Sequence, residues 1–288
     1  MWQRLRAFFQ VLTGRTAGNV ALLPLYGPIL AGRRLRHGLN LENTEKLILR
    51  AFSVPNLKAV ALSINSPGGS PVQSALIMQR IRDLAVKHNI PVLALAEDIT
   101  ASGGYMLALA ADEIVAHPAS LVGSIGVVYA GFGFPGTMKK MGVERRLHTA
   151  GRNKAFMDPF SPERKGDVAR LKKLQRGLYA YFKSLVEDRR GKRLKGPKGK
   201  IFSGEIWTAE EAKALGLIDT IGDPRQVLKE RFGEKVGIVR IAPPRPLFGS
   251  WFGLGERAGA ETIGLSGDLA DDVLAAIESR LMWNRFGF

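Results

Sequence analysis

Ser102 stands in the segment Asp98-Ile-Thr-Ala-Ser-Gly-Gly-Tyr-Met106, between a strand-like apolar run, Pro91 to Ala96, and a small-residue helical stretch, Tyr105 to Ala111. A serine hydroxyl becomes a nucleophile when a base takes its proton and N–H groups await the oxyanion formed on the attacked carbonyl. The N–H of Gly103, at the start of a helix, is one such donor. A serine in front of a helix is most often only its N-cap, so this segment alone leaves capping and catalysis both open.

A second group, Asn65-Ser-Pro-Gly-Gly-Ser70, closes the apolar strand Leu57 to Ile64. Alone it is a turn. Two glycines permit a backbone that faces an N–H outwards, and loops at the ends of successive strands can converge, which makes Gly69 a candidate second oxyanion donor. For the base, His37, His88, His117 and His148 have no supporting local pattern and read as surface or loop residues, although a fold can assemble His117 or His148 with Asp98 or Asp112. Lys154, in Gly-Arg-Asn-Lys followed by Ala-Phe-Met, is the other candidate. A lysine takes a proton only as the neutral amine, which requires desolvation or neighbouring cations.

The elements that must position these residues alternate strand and helix, giving an α/β domain. The reading places strands at Val20–Leu30, with Pro24 marking an edge or bulge, at Leu57–Ile64 and at Pro91–Ala96. Further strands follow at Glu113–Ala116, Glu144–Thr149 and Val236–Ile241, and an apolar segment at Leu121–Tyr129. Helices are expected at Asn43–Phe52, Val72–Lys87 and Arg225–Phe232, with a long one from Ser161, Pro162 in its first turn, towards Arg190. Thr208 and Glu211 form a capping box ahead of a helix ended by Gly216. The seven cations from Arg189 to Lys200 read as a solvated basic loop.

The chain has 288 residues, 45% hydrophobic and 24% charged, within the range of globular proteins. With no cysteine it has no disulfide, thiolate metal site or cysteine nucleophile, and the scattered histidines suggest no metal. A net charge of +16 attracts acidic partners. No aromatic residue interleaves the basic loop, so no specific nucleic acid is expected. Met1 to Arg15 puts Trp2, Leu5, Phe8, Phe9 and Leu12 on one helical face beside arginines, a candidate contact with an anionic membrane surface or with protein. Gly131-Phe-Gly-Phe-Pro-Gly136 matches a dinucleotide fingerprint formally, but Pro135 interrupts the turn, and no cofactor is expected.

Five motifs in order, Asn65-Ser-Pro-Gly-Gly-Ser70, Ala101-Ser-Gly-Gly-Tyr-Met106, Ala111-Asp-Glu-Ile-Val-Ala-His-Pro118, Val122-Gly-Ser-Ile-Gly-Val127 and Gly151-Arg-Asn-Lys154 with Met157-Asp-Pro159, resemble those of the signal peptide peptidase A family. The likeness runs from about Val20 to Ile221 and is of the short, single-repeat kind. It implies an α/β ClpP/crotonase-like core of repeated β-β-α units with peripheral helices, and a serine endopeptidase with a Ser-Lys dyad. Ser102 is then the nucleophile, Lys154 the base, Gly69 and Gly103 the oxyanion hole, and Ser124 the residue orienting the lysine. Ser70, Ile125, Gly126 and Val127 would hold an extended peptide by backbone pairing. Expected substrates are signal-peptide remnants or small membrane-associated proteins, and the expected assembly is a ring-like homo-oligomer whose neighbouring subunits complete the sites. A crotonase-type acyl-CoA enzyme and a noncatalytic membrane-associated scaffold are the alternatives.

The expected organisation is a basic amphipathic segment (1–18), the peptidase domain (19–242), a Pro/Gly-rich linker (243–268) and a C-terminal helix with an apolar tail (269–288). No transmembrane span or clear signal peptide is read. The expected location is cytoplasmic, with peripheral attachment to the inner face of the plasma membrane as a second expectation.

Overall fold

The computed structural model describes residues 18–31, 38–242, 277 and 279–287. The expected N-terminal segment, but for Gly18, and the expected linker lie outside the described residues; of the C-terminal helix, residue 277 and residues 279–284 are helical. The chain divides into two compact units, one of residues 1–125 and 185–288, the other of residues 126–184.

The first unit is built on an eight-stranded sheet. Its strands are β1 (Asn19–Tyr26), β2 (Leu57–Ser66), β3 (Val92–Ala101), β4 (Glu113–Ala116), β5 (Leu121–Gly123), β6 (Ile206–Thr208), β7 (Thr220–Ile221) and β8 (Gly237–Arg240). The order is β6-β5-β3-β2-β1-β8, with β4 pairing β3 and β7. All pairs are parallel except β5 with β6. Parallel strands need crossovers and are covered on both faces, which is why Ala59 to Ile64 of β2 is an almost unbroken buried run. This is the α/β class implied by the sequence.

The helices α1 (Leu41–Phe52), α2 (Pro71–His88), α3 (Gly103–Ala108), α7 (Ala209–Ala214) and α8 (Pro224–Phe232) follow local signals. Asn40, Ser70, Thr208 and Asp223 each cap their helix with a side-chain oxygen, and Asn89 ends α2 in the left-handed region. The capping box of Thr208 and Glu211 forms as expected. Val227 and Leu228 of α8 pack with Val20, Ala59, Ala61, Leu93, Leu95 and Val115 in one core.

β3 is the strand that matters for the site. Its first half, Leu93–Ala96, pairs with β4, and its last three residues, Ile99–Ala101, pair with β5. The register with β2 shifts between Ile64 and Ser66, opposite Glu97 and Asp98, so the sheet re-aims just before Ser102.

Several expectations are corrected. β1 is not an edge: it lies between β2 and β8, and Pro24 is accommodated because pairing with β8 ends at Leu22 with Arg240. The apolar segment from Leu121 is a strand only to Gly123, since Ser124 turns at φ 52°. No strand forms at Glu144–Thr149: all six residues are exposed without a neighbouring strand, and Arg145 instead pairs with Asp158 at 3.1 Å.

The long helix α5 (Lys165–Arg190) starts later than expected. The Ser161 hydroxyl is tied back to Asp158 (2.7 Å), and the first helical acceptor is the carbonyl of Arg164. The basic loop is not a solvated loop throughout. Arg189 and Arg190 end α5, Gly191–Arg193 is a 3-10 turn, Lys198–Ile201 is a short helix (α6), and Arg190 is only 3% exposed. The second unit also carries α4 (Pro135–Lys140) and most of α5.

Candidate active site

Ser102 has φ 52° and ψ −119°, a conformation uncommon for a residue with a Cβ. Such strain persists only where the surroundings over-determine it, and it clusters at functional sites. The Ser102 N–H donates to the Gly123 carbonyl (2.8 Å), and its own carbonyl accepts from the N–H of Met106 (3.1 Å). The hydroxyl does not cap α3. The backbone is therefore fixed by sheet and helix while the side-chain oxygen is left for other work.

The glycines explain how the strain is held. A Cβ on Gly68 would sit 2.7 Å from the Gly103 nitrogen, 2.8 Å from the Ser102 Cβ and 2.9 Å from the Ala101 carbonyl oxygen. On Gly103 it would strike the Ser74 hydroxyl and come within 3.2 Å of the Gly69 nitrogen. The two glycine loops thus touch, as the sequence led one to expect. Gly69 has φ 139° and bridges to Ile29, and among the described residues neither the Gly69 nor the Gly103 N–H donates a hydrogen bond. Unused N–H groups side by side next to a free hydroxyl are what acyl transfer requires.

Ser124 also has a positive φ, 52°, and its N–H is anchored on the Glu205 carbonyl (2.7 Å). Trp207 packs on the neighbouring Gly123, where a Cβ would come within 2.8 Å of the indole Cδ1. The Gly123–Ser124 turn that holds Ser102 is thus pinned by β6. Ile125 is 1% exposed. Ser70 is committed to structure: its N–H donates to Ile29, its hydroxyl accepts from Gln73 (3.4 Å), and its carbonyl accepts from Ser74.

Behind Ser102 lies a cluster that sequence reasoning missed. The fully buried Tyr105 donates its hydroxyl to the Leu217 carbonyl (2.7 Å), and burial pushes that phenol well above its usual range. Arg190 donates to the Gly216 carbonyl (2.9 Å) and forks onto both oxygens of Asp219 (2.8 and 2.9 Å). Burial pushes the Asp219 carboxyl up, but Arg190, the Ile114 N–H and Arg193 outweigh it and hold the group below the usual carboxylate range. Arg189 donates to the carbonyls of Leu109 (2.7 Å) and Ala111 (2.9 Å). The available signal was an arginine pair closing a long helix while an aspartate follows Leu-Gly-Leu-Ile218.

In the second unit, Lys154 lies in an exposed turn, its N–H on the Gly151 carbonyl (3.1 Å). Gly126 and Val127 are half-buried. Phe134 packs at a tilt against Phe132 and Phe160, Arg145 lies over the Phe160 ring at 4.8 Å, and Arg164 ties the Ala155 carbonyl to Asp167. A cavity of about 610 Å³ in this unit is lined by Tyr129, Phe132, Leu147, Met157 and Arg164 among others. His88, His117 and His148 are exposed, and His88 stacks on Phe52.

The sequence model of peptidase family S49 matches residues 85–235, more than half of the chain and a span that contains Ser102, Gly103, Ser124 and Lys154. The Na(+)/H(+) antiporter NhaA of Brucella abortus is 48% identical over 272 residues, 93% of this chain and 37% of that protein. Protease 4 of Salmonella typhi is 33% identical over 219 residues, 72% of this chain and 33% of that protein. The chain therefore spans about a third of either relative's length. Among the described residues no helix is long and apolar enough to cross a membrane. Among solved structures, a mutant of the 1510-N membrane-bound stomatin-specific protease, in complex with a substrate peptide, gives a TM-score of 0.49 at 16% identity, covering 79% of this chain and 93% of that one.

Proposed function

The chain belongs to peptidase family S49, and on that premise we propose that it is a serine endopeptidase cleaving extended peptides, with Ser102 as nucleophile and Lys154 as general base. The observation that carries this reading is the Ser102 elbow: a strained serine whose hydroxyl caps nothing, beside two N–H groups, of Gly69 and Gly103, without acceptors. Ser102 Oγ attacks the scissile carbonyl as its proton passes to the Lys154 amine. The carbonyl oxygen becomes an oxyanion held by Gly69 and Gly103, and the amine returns the proton to the departing peptide nitrogen. Water then hydrolyses the acyl-enzyme by the same route in reverse. Ser124 orients the lysine. Backbone near Ser70 and Ile125–Val127 aligns the substrate, with signal-peptide remnants and small membrane-associated proteins as the proposed substrates and a ring-like homo-oligomer as the working assembly.

Hydrolysis of a mixed fluorogenic peptide library by wild type, Ser102→Ala and Lys154→Ala, each checked for folding, tests this. Both variants are expected to lose at least about a thousandfold in rate. Activity that survives Ser102→Ala overturns the assignment, and activity that survives Lys154→Ala alone removes the lysine from its role.

A further inference from the structure

Helix α3 is short and wholly buried, and it meets a hard stop at its front. Gly68 packs so closely there that a Cβ on it would come within 2.7 Å of the Gly103 nitrogen, and the Gly69 loop abuts Gly103. The chain leaving its back end has no glycine cap. Instead four consecutive carbonyls there are each taken by a guanidinium. Arg189 Nε donates to Leu109 (2.7 Å), Arg82 Nη1 to Ala110 (3.2 Å), Arg189 Nη2 to Ala111 (2.9 Å) and Arg193 Nη1 to Asp112 (2.9 Å). The three arginines come from α2, the end of α5 and the 3-10 turn after it, and the Asp112 carboxylate binds Arg82 at 2.7 Å. Leu109, Ala110 and Ala111 are at most 5% exposed, so without the arginines these carbonyls would be buried and unsatisfied.

We propose that this arginine clamp is a positioning device for catalysis: Arg189, with Arg82 and Arg193, fixes α3 along its axis and thereby sets where the Gly103 N–H and Ser102 stand. An oxyanion donor acts only within a few tenths of an ångström of its proper place, so a clamp that stops axial slip acts on the transition state more than on substrate binding. A guanidinium suits the task because its planar fork reaches two carbonyls of one turn together, as Arg189 does, whereas an ammonium reaches one at a time. The proposal rests on the serine peptidase reading above.

The test compares full-length wild type, Arg189→Met, Arg189→Lys and the milder Arg193→Gln. Active sites are first counted with a fluorophosphonate, so that rates refer to competent sites only. In Arg189→Met, kcat per titrated site is expected to fall about tenfold with KM within about twofold, and affinity for a peptide aldehyde, which forms an oxyanion-like adduct, to fall by the same factor. Arg189→Lys is expected to recover part of the loss, added guanidinium ion to rescue Arg189→Met in part, and Arg193→Gln to show a smaller effect in the same sense.

A drop only in the number of titratable sites or in Tm, with kcat per site and aldehyde affinity unchanged, overturns the proposal and leaves the arginines as structural caps. If Arg189→Met does not fold, Arg193→Gln decides by the same criteria. The Gly103 amide resonance supplies a readout that needs no turnover: it should move in Arg189→Met and in Arg193→Gln, and an unchanged resonance overturns the clamp by itself. Failure of the peptidase reading is told apart by wild type that is not labelled at Ser102.

Discussion

Arg190→Met removes the guanidinium while keeping a long apolar stem. Arg190 is 3% exposed and makes three hydrogen bonds, one to Gly216 and two to Asp219. Breaking a buried pair by deleting one partner costs roughly 3–5 kcal/mol, because the other charge stays behind. Asp219 would keep the Ile114 N–H at 2.8 Å and Arg193 at 3.6 Å, which puts the expected loss at the lower end, about 3 kcal/mol. At about 2–4 °C per kcal/mol for a chain of this size, Tm should drop by roughly 6–12 °C. The sign of the pH dependence follows from Asp219. Its folded pKa is depressed, so its stabilisation is complete above the ordinary carboxylate value, about 3.9, and is lost as pH falls through the folded value. In Arg190→Met burial is opposed by less, the carboxyl takes up a proton more readily, and the gap between variant and wild type should narrow as pH falls from 7 towards 4. Thermal melts across that range provide the assay. A Tm loss under about 2 °C at pH 7, or a gap that does not change with pH, would refute the reasoning.

Gly68→Ala should leave the far-ultraviolet circular dichroism intact and cut peptidase activity by about a hundredfold. Its φ of 97° and the 2.7 Å approach to the Gly103 nitrogen force the oxyanion loop to move, and displacements near 1 Å cost rates of that order; an active Gly68→Ala enzyme speaks against the proposed hole. Mixing inactive Ser102→Ala with inactive Lys154→Ala should restore about a quarter of the wild-type rate if chains mix at random and each site takes its serine and lysine from neighbouring copies. No recovery after subunit exchange, checked by mass spectrometry, places both residues in one chain.

The strands and helices that carry Ser102 were legible because their signals are local. β2 and β3 are built around apolar runs, Ser70 and Thr208 are caps with the right neighbours, and paired glycines mark the turns. Glu144–Thr149, Glu-Arg-Arg-Leu-His-Thr, misled because a short segment read as a strand says nothing of whether a partner strand exists. Pro24 misled because a proline excludes one ladder bond and not a whole strand position. The strain at Ser102 was invisible for a different reason. It depends on Gly68 and Gly123, which reach it through space from other turns, and no spacing along the chain encodes that contact.

The charge is where composition and structure part most. A net +16 reads as a basic surface in search of acid, and the run from Arg189 to Lys200 reads as its densest part. Three of those seven cations, Arg189, Arg190 and the more exposed Arg193, instead bind carbonyls and Asp219. Burial and the neighbouring Arg82 even press the Arg189 guanidinium below its usual range, a cost accepted only where the hydrogen bonds it makes are otherwise unmet. Charge that closes helix ends and pairs inside a fold is unavailable to a partner. The count of positive residues therefore overstates the pull on nucleic acid or lipid, and the same arginines bear more directly on how firmly the Ser102 helix is held.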